Sequence, residues 1–387
     1  MGVFGGAVDF FSADDFLFPK QLLMWAVGGF LMWLAIKKNY EPALLLPMGF
    51  GAILVNLPLS GVLDTVRVSV DGRVLEIRGV ISWLYDVGID ASEALPLVLF
   101  IGIGAMVDFG PLLCAPKMFL YGAAAQAGIF MAMFAALFLG FSDINDAAAI
   151  GMIGAADGPT AILVSNVLNS QYKGAITVAA YSYMAMVPLI LPVAVKSVTT
   201  RKERLIRMEY KPAKVSKTTK ILFPVIVTVI AGIVAPMSVA LVGFLMFGNL
   251  IRECGRLESL SKTAQNELAN LVTILLGISV SFNMRAAQFI RWETLVIMAL
   301  GLAAFFFDAV FGVLFVKFLN LFTKTKANPM VGAAGISAFP MASRVVQKLG
   351  IAEDKQNFLL MQAAGANVAG QIASVVAGGM ILSILAK

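Results

Sequence analysis

Long apolar runs, interrupted at glycine and proline, dominate the chain. QLLMWAVGGFLMWLAI (21–36), ILFPVIVTVIAGIVAPMSVALVGFLMFG (221–248) and LVIMALGLAAFFFDAVFGVLFVKFL (295–319) reach or approach the roughly 20 residues that carry a helix across a bilayer. Hydrocarbon offers backbone groups no partner but one another, so these runs predict helices. One stretch alternates differently: VRVSVDGRVLEI (66–77) turns about Asp71-Gly72, a dipeptide suited to the positive φ of a two-residue hairpin. It predicts a small extramembrane β-hairpin inside an insertion at 60–94. The expected fold class is an all-α polytopic membrane protein carrying that one hairpin.

Composition agrees with the pattern. The 387 residues are 59% hydrophobic and 13% charged, against about a quarter charged in soluble domains. Two cysteines, Cys114 and Cys254, stand at no metal-ligand spacing, so neither a disulfide framework nor a zinc site is expected. There is no histidine, which removes the usual base near neutral pH. Nothing points to nucleic acid as a partner. The first twenty residues hold Asp9, Asp14 and Asp15 before any basic residue; they read as an interfacial segment, 1–20, and not as a secretory signal.

Positive charge is concentrated in KSVTTRKERLIRMEYKPAKVSKTTK (196–220), with nine Lys or Arg against two Glu. The positive-inside rule places this loop in the cytoplasm. Topology alone could account for the charge, as could docking of an acidic partner or anionic lipid. The loop also separates two halves that repeat one another weakly. GIGAMVD (102–108) matches GISVSFN (277–283), GMIGAADGPTA (151–161) matches GAAGISAFPMA (332–342), and the segment around Tyr183 matches that around Asn367. We therefore expect a membrane repeat at 21–196, a basic cytoplasmic loop at 197–219 and a second repeat at 220–387. Paired broken segments in corresponding positions are a mark of inverted transporter repeats with a site near the midplane.

The first break, GAADGPTA (154–161), places Asp157 where an acid costs about 2.5 to 3.5 kcal/mol on insertion scales. Gly158 and Pro159 interrupt the helix and free carbonyl oxygens beside the carboxylate. That combination suits a small hard cation such as Na⁺; the alternative is a buried cap for the following helix. The second break, NPMVGAAGISAFPMASR (328–344), has Ala338 in place of the acid and offers Asn328 and Ser337. Its small residues either admit close backbone approach to an ion or simply let helices pack. Tyr183 is an interfacial anchor or a proton donor or ligand, and its correspondence with Asn367 suggests that both line one cavity. Asp108 is left open between cavity edge and helix end. Asp308 could be a second ion or proton site or could pair with Arg291.

At these positions the chain resembles the β subunits of biotin-dependent, sodium-translocating decarboxylases, of the oxaloacetate, methylmalonyl-CoA and glutaconyl-CoA decarboxylase type. FIGIGAMVDFGPLL, GAADGPTAILVSN, AAYSYMAMVPLILP, NPMVGAAGISAFPMASRVVQ and GANVAGQIAS carry the resemblance across residues 95–375. It implies a membrane subunit that removes CO₂ from carboxybiotin and exports Na⁺ across a bacterial-type cytoplasmic membrane. It also implies Asp157 as a Na⁺ ligand, with Tyr183, Asn328, Gly332 and Ser337 involved in Na⁺ handling. Asn367 joins the expected ligands as the counterpart of Tyr183, and Tyr183 and Asp157 are the expected catalytic pair. Implied partners are a biotin carrier subunit, a carboxyltransferase α subunit and a small membrane γ or δ subunit, with room for a homo-oligomer. A secondary Na⁺/organic anion carrier is the competing expectation.

Overall fold

The computed structural model describes residues 17–386 except 65, 71–72, 92 and 209–214. Most of the expected interfacial segment, the Asp71-Gly72 turn and the centre of the basic loop therefore lie outside the described residues. Among the described residues, seven helices are long and apolar enough to cross a membrane. The helices of eight or more residues are α1 (Leu17–Lys38), α2 (Pro42–Leu54), α3 (Ala94–Met106), α4 (Ala127–Phe138), α5 (Ile144–Gly151), α6 (Gly158–Val167), α7 (Lys173–Val198), α8 (Lys217–Val234), α9 (Val239–Glu253), α10 (Ala269–Val280), α11 (Trp292–Phe322), α12 (Met341–Glu353) and α13 (Leu360–Leu385). The remaining described regular structure is short helical turns and two strands, β1 (Val66–Val70) and β2 (Arg73–Ile77), paired antiparallel with Val70 opposite Arg73.

Two compact units divide the chain, one formed by 1–99 and 270–296, the other by 100–269 and 297–387. In the first, α1 and α2 cross where Gly28 and Gly49 face each other. A Cβ on either glycine would stand 2.6 Å from the other's carbonyl oxygen, a separation that no side chain tolerates. The buried Asn56 fastens the same unit, its amide donating to the carbonyls of Ala52 (2.7 Å) and Met284 (2.8 Å) and its oxygen accepting the Ala286 amide (2.7 Å). A polar atom brought into an apolar interior without such a partner is costly.

The second unit holds both broken segments, α4 to α9, and most of α11 to α13. Its interior is built from alanine and glycine, which lets backbone meet backbone. Gly312 of α11 lies directly against Gly332, and Gly122 against Gly370 of α13. The long helix α7 runs unbroken through Pro188 and Pro192. Lysine and arginine following α7 do more than mark topology. Arg204 pairs with Glu353 at 2.6 Å, both side chains being mostly buried, and Arg207 pairs with Asp354 at 2.6 Å. Burial alone would raise the Glu203 carboxyl, but the Thr200 amide and the Lys317 ammonium hold it below the ordinary glutamate value.

Asp108 resolves as a helix-end residue. It sits between α3 and the turn Gly110–Cys114, accepting the Gly110 amide at 2.8 Å, with the Lys220 ammonium 3.8 Å away. Asp308 has a backbone partner, the Gly128 amide, and no ion pair among the described residues includes it.

Candidate cation site where two broken segments meet

Helix α5 tightens into a 3₁₀ turn at Met152–Ala155, and Ala156 then takes a left-handed conformation with φ of 53°. That reversal ends the helix. Asp157 follows in an extended conformation as the N-cap of α6, and Gly158 and Pro159 open the new helix. Proline suits the position because its missing N–H would have had no helical partner. The carboxylate supplies what the helix start lacks, accepting the Thr160 amide at 3.5 Å and the Thr160 hydroxyl at 2.7 Å. The capping role and the buried acid are thus the same side chain.

Asp157 is only 3% exposed, and α13 reaches it from the opposite side. The Ser374 hydroxyl donates to Oδ2 at 2.9 Å and the Gln371 amide approaches at 3.4 Å. No basic side chain pairs with it among the described residues. The Tyr181 ring lies against Gly158, where a Cβ would stand 2.6 Å from the ring edge. Its hydroxyl is buried without a hydrogen-bond partner among the described residues.

The second break comes to the first. The turn Met330–Ala333 ends and α12 begins only at Met341. Between them, both the amide and the hydroxyl of Ser337 donate to the Ala155 carbonyl, at 3.2 and 2.9 Å. Two carboxamides take the carbonyls that the missing helix leaves free. Gln126 donates to Gly335 O at 3.2 Å and Asn367 to Ile336 O at 2.7 Å. The oxygens of both carboxamides remain buried without a hydrogen-bond partner among the described residues.

Of the residues singled out in the sequence, Asp157 and Ser337 meet at the first break, and Asn367 grips the second. Asn328 and Gly332 have other contacts. The Asn328 amide donates to the carbonyls of Arg204 and Ile206 at 2.9 and 2.8 Å, clasping the segment that follows α7. Asn357 and Gln362 bond the same segment, at Arg204 O and Met208 O. Gly332 is in backbone contact with Gly312 of α11. The Tyr183 hydroxyl donates to the Met298 carbonyl on α11, so it is committed at the site's flank.

Sequence reasoning missed Thr160, Gln371, Ser374, Tyr181 and Gln126. A signal for three of them, Thr160, Gln371 and Ser374, existed: Asn367, Gln371 and Ser374 recur at i, i+4 and i+7 on α13, a polar stripe on one face of a mostly apolar helix. Thr160 stands three residues after the acid, where an N-cap finds its donor. The assembled donors are a carboxylate, hydroxyls, carboxamides and the Ala155 carbonyl. All offer hard oxygen, which suits an alkali or alkaline-earth ion and not a soft transition metal. Among the described residues no group of three or more His, Cys, Asp or Glu residues is placed to hold a metal ion.

Residues 20–385 match the family described as the Na⁺-transporting oxaloacetate decarboxylase beta subunit. The chain is 44% identical to the oxaloacetate decarboxylase beta chain of Klebsiella pneumoniae, over 94% of each chain. It is 44% identical to the methylmalonyl-CoA decarboxylase subunit beta of Propionigenium modestum, over 97% of this chain and 98% of that one. The Veillonella parvula methylmalonyl-CoA decarboxylase subunit beta is 45% identical, over 94% of this chain and 93% of its own.

Proposed function

The chain belongs to the family of Na⁺-transporting oxaloacetate decarboxylase beta subunits, and from that premise we propose that it couples decarboxylation of carboxybiotin to Na⁺ export. One observation carries the reading: a buried carboxylate at a helix break, free of any basic partner among the described residues, accepts from Ser374 of α13 and stands two residues from the Ala155 carbonyl, to which Ser337 of the second break donates. A buried ionised acid without a counter-charge is costly. A transported cation supplies that counter-charge.

In this reading Asp157 provides the charge of the site. Thr160 and Ser374 orient its oxygens, their own hydroxyl lone pairs remaining open to the ion. Ser337 completes the shell from the second break. Its bond to Ala155 O ties the two breaks together, so binding and release of the ion are coupled to their separation. Asn328 and Gly332 serve the pump differently, Asn328 by holding the cytoplasmic segment after α7 and Gly332 by close packing on α11. The paired breaks then belong to inverted repeats, 21–196 and 220–387, about a midplane site.

Carboxybiotin arrives on a biotin carrier subunit. Cleavage of its carboxyl carbon–nitrogen bond leaves the electron pair on the ring nitrogen, releases CO₂ and requires one proton. With no histidine in the chain, the proton comes from a carboxylic acid, a phenol, a lysine or water. Tyr183 is the candidate, and giving up its proton requires it to leave Met298 O. A carboxyltransferase subunit would load the biotin, a small membrane subunit would complete the assembly, and the basic segment from 197 to 219 would face them.

The test is Asp157→Asn in the complete complex, read by Na⁺-dependent decarboxylation and by ²²Na⁺ uptake into inverted vesicles. Loss of both supports the assignment. Persistence of both refutes it. A copurifying biotinylated polypeptide separates the pump from a carrier that performs no chemistry.

A further inference from the structure

Among the described residues the mechanism above leaves two buried acids unused, Asp146, whose oxygens accept from Ser170 and Gln171, and Asp308. Asp308 of α11 is completely buried, and its surroundings are backbone. One carboxyl oxygen accepts the Gly128 amide, and the Ile129 amide also faces the group, so the acid closes the start of α4. The other oxygen, Oδ2, is buried and has no hydrogen-bond partner among the described residues. It faces the first break: a Cβ built on Gly154 would stand 3.1 Å from Oδ2 and 2.9 Å from the Ala304 methyl.

We propose that Asp308 is a second ion site of the membrane unit and that its ligand is a proton. Oδ2 has the Gly154 backbone beside it and no hydrogen-bond partner among the described residues, whereas a metal ion gathers several oxygens. A proton needs no such shell. It turns the bare oxygen into a donor and removes the cost of an uncompensated buried charge. Neither α4 nor Met152–Ala155 carries a titratable side chain. On α11, Lys317 is bonded to Val198 O and Glu203, and Glu293 lies in its first turn. The phenol that α7 presents is Tyr183, packed on Gly301 and bonded to Met298 O. Asp157 stands three residues beyond Gly154, held by Thr160 and Ser374.

The glycine contact makes the two events exclusive. While Gly154 covers Oδ2 the acid keeps its proton; when the first break moves off, water reaches the oxygen and the proton can leave. The acid thereby reports the position of the segment that carries Asp157. This consequence for the cycle rests on the pump reading, whereas the protonation itself is tested independently of it.

The experiment is infrared spectroscopy on the complete complex in lipid vesicles, with the spectrum of Asp308→Asn subtracted from those of the parent and of Asp157→Asn. The parent and Asp157→Asn should show the carbonyl band of a protonated carboxylic acid, and Asp308→Asn should lose it. Turnover of Asp308→Asn should also lose its dependence on external pH while keeping the parent's half-saturating Na⁺ concentration. A band that survives in Asp308→Asn, or a pH profile that superimposes on the parent's, would overturn the proposal and leave Asp308 an ionised cap. Should Asp308→Asn fail to assemble, Asp308→Glu carries the test: the band should shift, and an unmoved band refutes the assignment. If Asp157→Asn retained full Na⁺ transport, the sodium assignment would fall while loss of the Asp308 band would still stand.

Discussion

The two breaks solve opposite halves of one problem. At the first, the helix start at Gly158 leaves amide donors in need of an acceptor, and Asp157 provides it together with a negative charge. At the second, the carbonyls of Gly335 and Ile336 need donors, and the neutral carboxamides of Gln126 and Asn367 provide them. An unpaired amide and an unpaired carbonyl are both expensive in an apolar interior, yet only one solution introduces a charge. The contrast explains why one break carries an acid and the other does not. In the proposed cycle the charged break holds the ion, and the neutral break moves against it without an electrostatic penalty of its own.

That contrast fails most visibly if the charge proves dispensable. Asp157→Asn preserves a good helix cap, so stability should fall by less than about 1 kcal/mol. Transport should collapse, because loss of groups that merely surround a bound metal already costs roughly 10- to 100-fold. Thermal unfolding in detergent beside ²²Na⁺ uptake separates the two effects. Equal losses in both would mean that the acid is structural.

Ser337→Ala comes next. Removing the hydroxyl leaves the Ser337 amide on Ala155 O, so the breaks stay joined while one oxygen is lost; half-saturating Na⁺ should rise roughly 10-fold. An unchanged Na⁺ requirement would confine Ser337 to packing. The neutral break should show the reverse balance. Asn367→Leu leaves the Ile336 carbonyl buried without its donor and should cost about 1–3 kcal/mol in unfolding free energy. If Asn367→Leu instead spared stability and abolished Na⁺ dependence, the carboxamide would belong to the ion and the comparison would need redrawing.

The smallest effect lies outside the membrane. Hydrogen bonds from Arg207 and the Gln356 amide hold the Asp354 carboxyl below its ordinary value. Any stability it lends is therefore present at neutral pH and is lost as pH falls through that lowered value, beneath the usual aspartate range. Asp354→Asn should flatten that acid-side portion of the unfolding curve and leave the neutral part nearly untouched, since exposed pairs contribute little.

Much of the architecture was legible because bilayer physics is written in one dimension. Apolar length declares a span, and an acid beside Gly-Pro declares a break, whatever surrounds them. Ser337 was legible for the same reason, as a polar residue in an apolar run. Asn328 was legible as important but not in its role, because clasping the carbonyls of Arg204 and Ile206 depends on a loop more than a hundred residues earlier in the chain. Gly332 was legible as a small residue open to ion approach or packing, but its neighbour, Gly312 of α11, was not. The stripe Asn367, Gln371 and Ser374 was visible as spacing, yet its target was not.

By itself, then, the sequence determined that this protein lives in a membrane, where its helices are interrupted and which interruption is charged. Each follows from local cost: an apolar run must be helical in lipid, and an acid set beside glycine and proline is cheapest where the helix stops. Tertiary structure alone decided what each freed backbone group and each buried oxygen meets. Those partners come from segments far apart in the chain, and bond geometry, unlike hydropathy, has no one-dimensional trace.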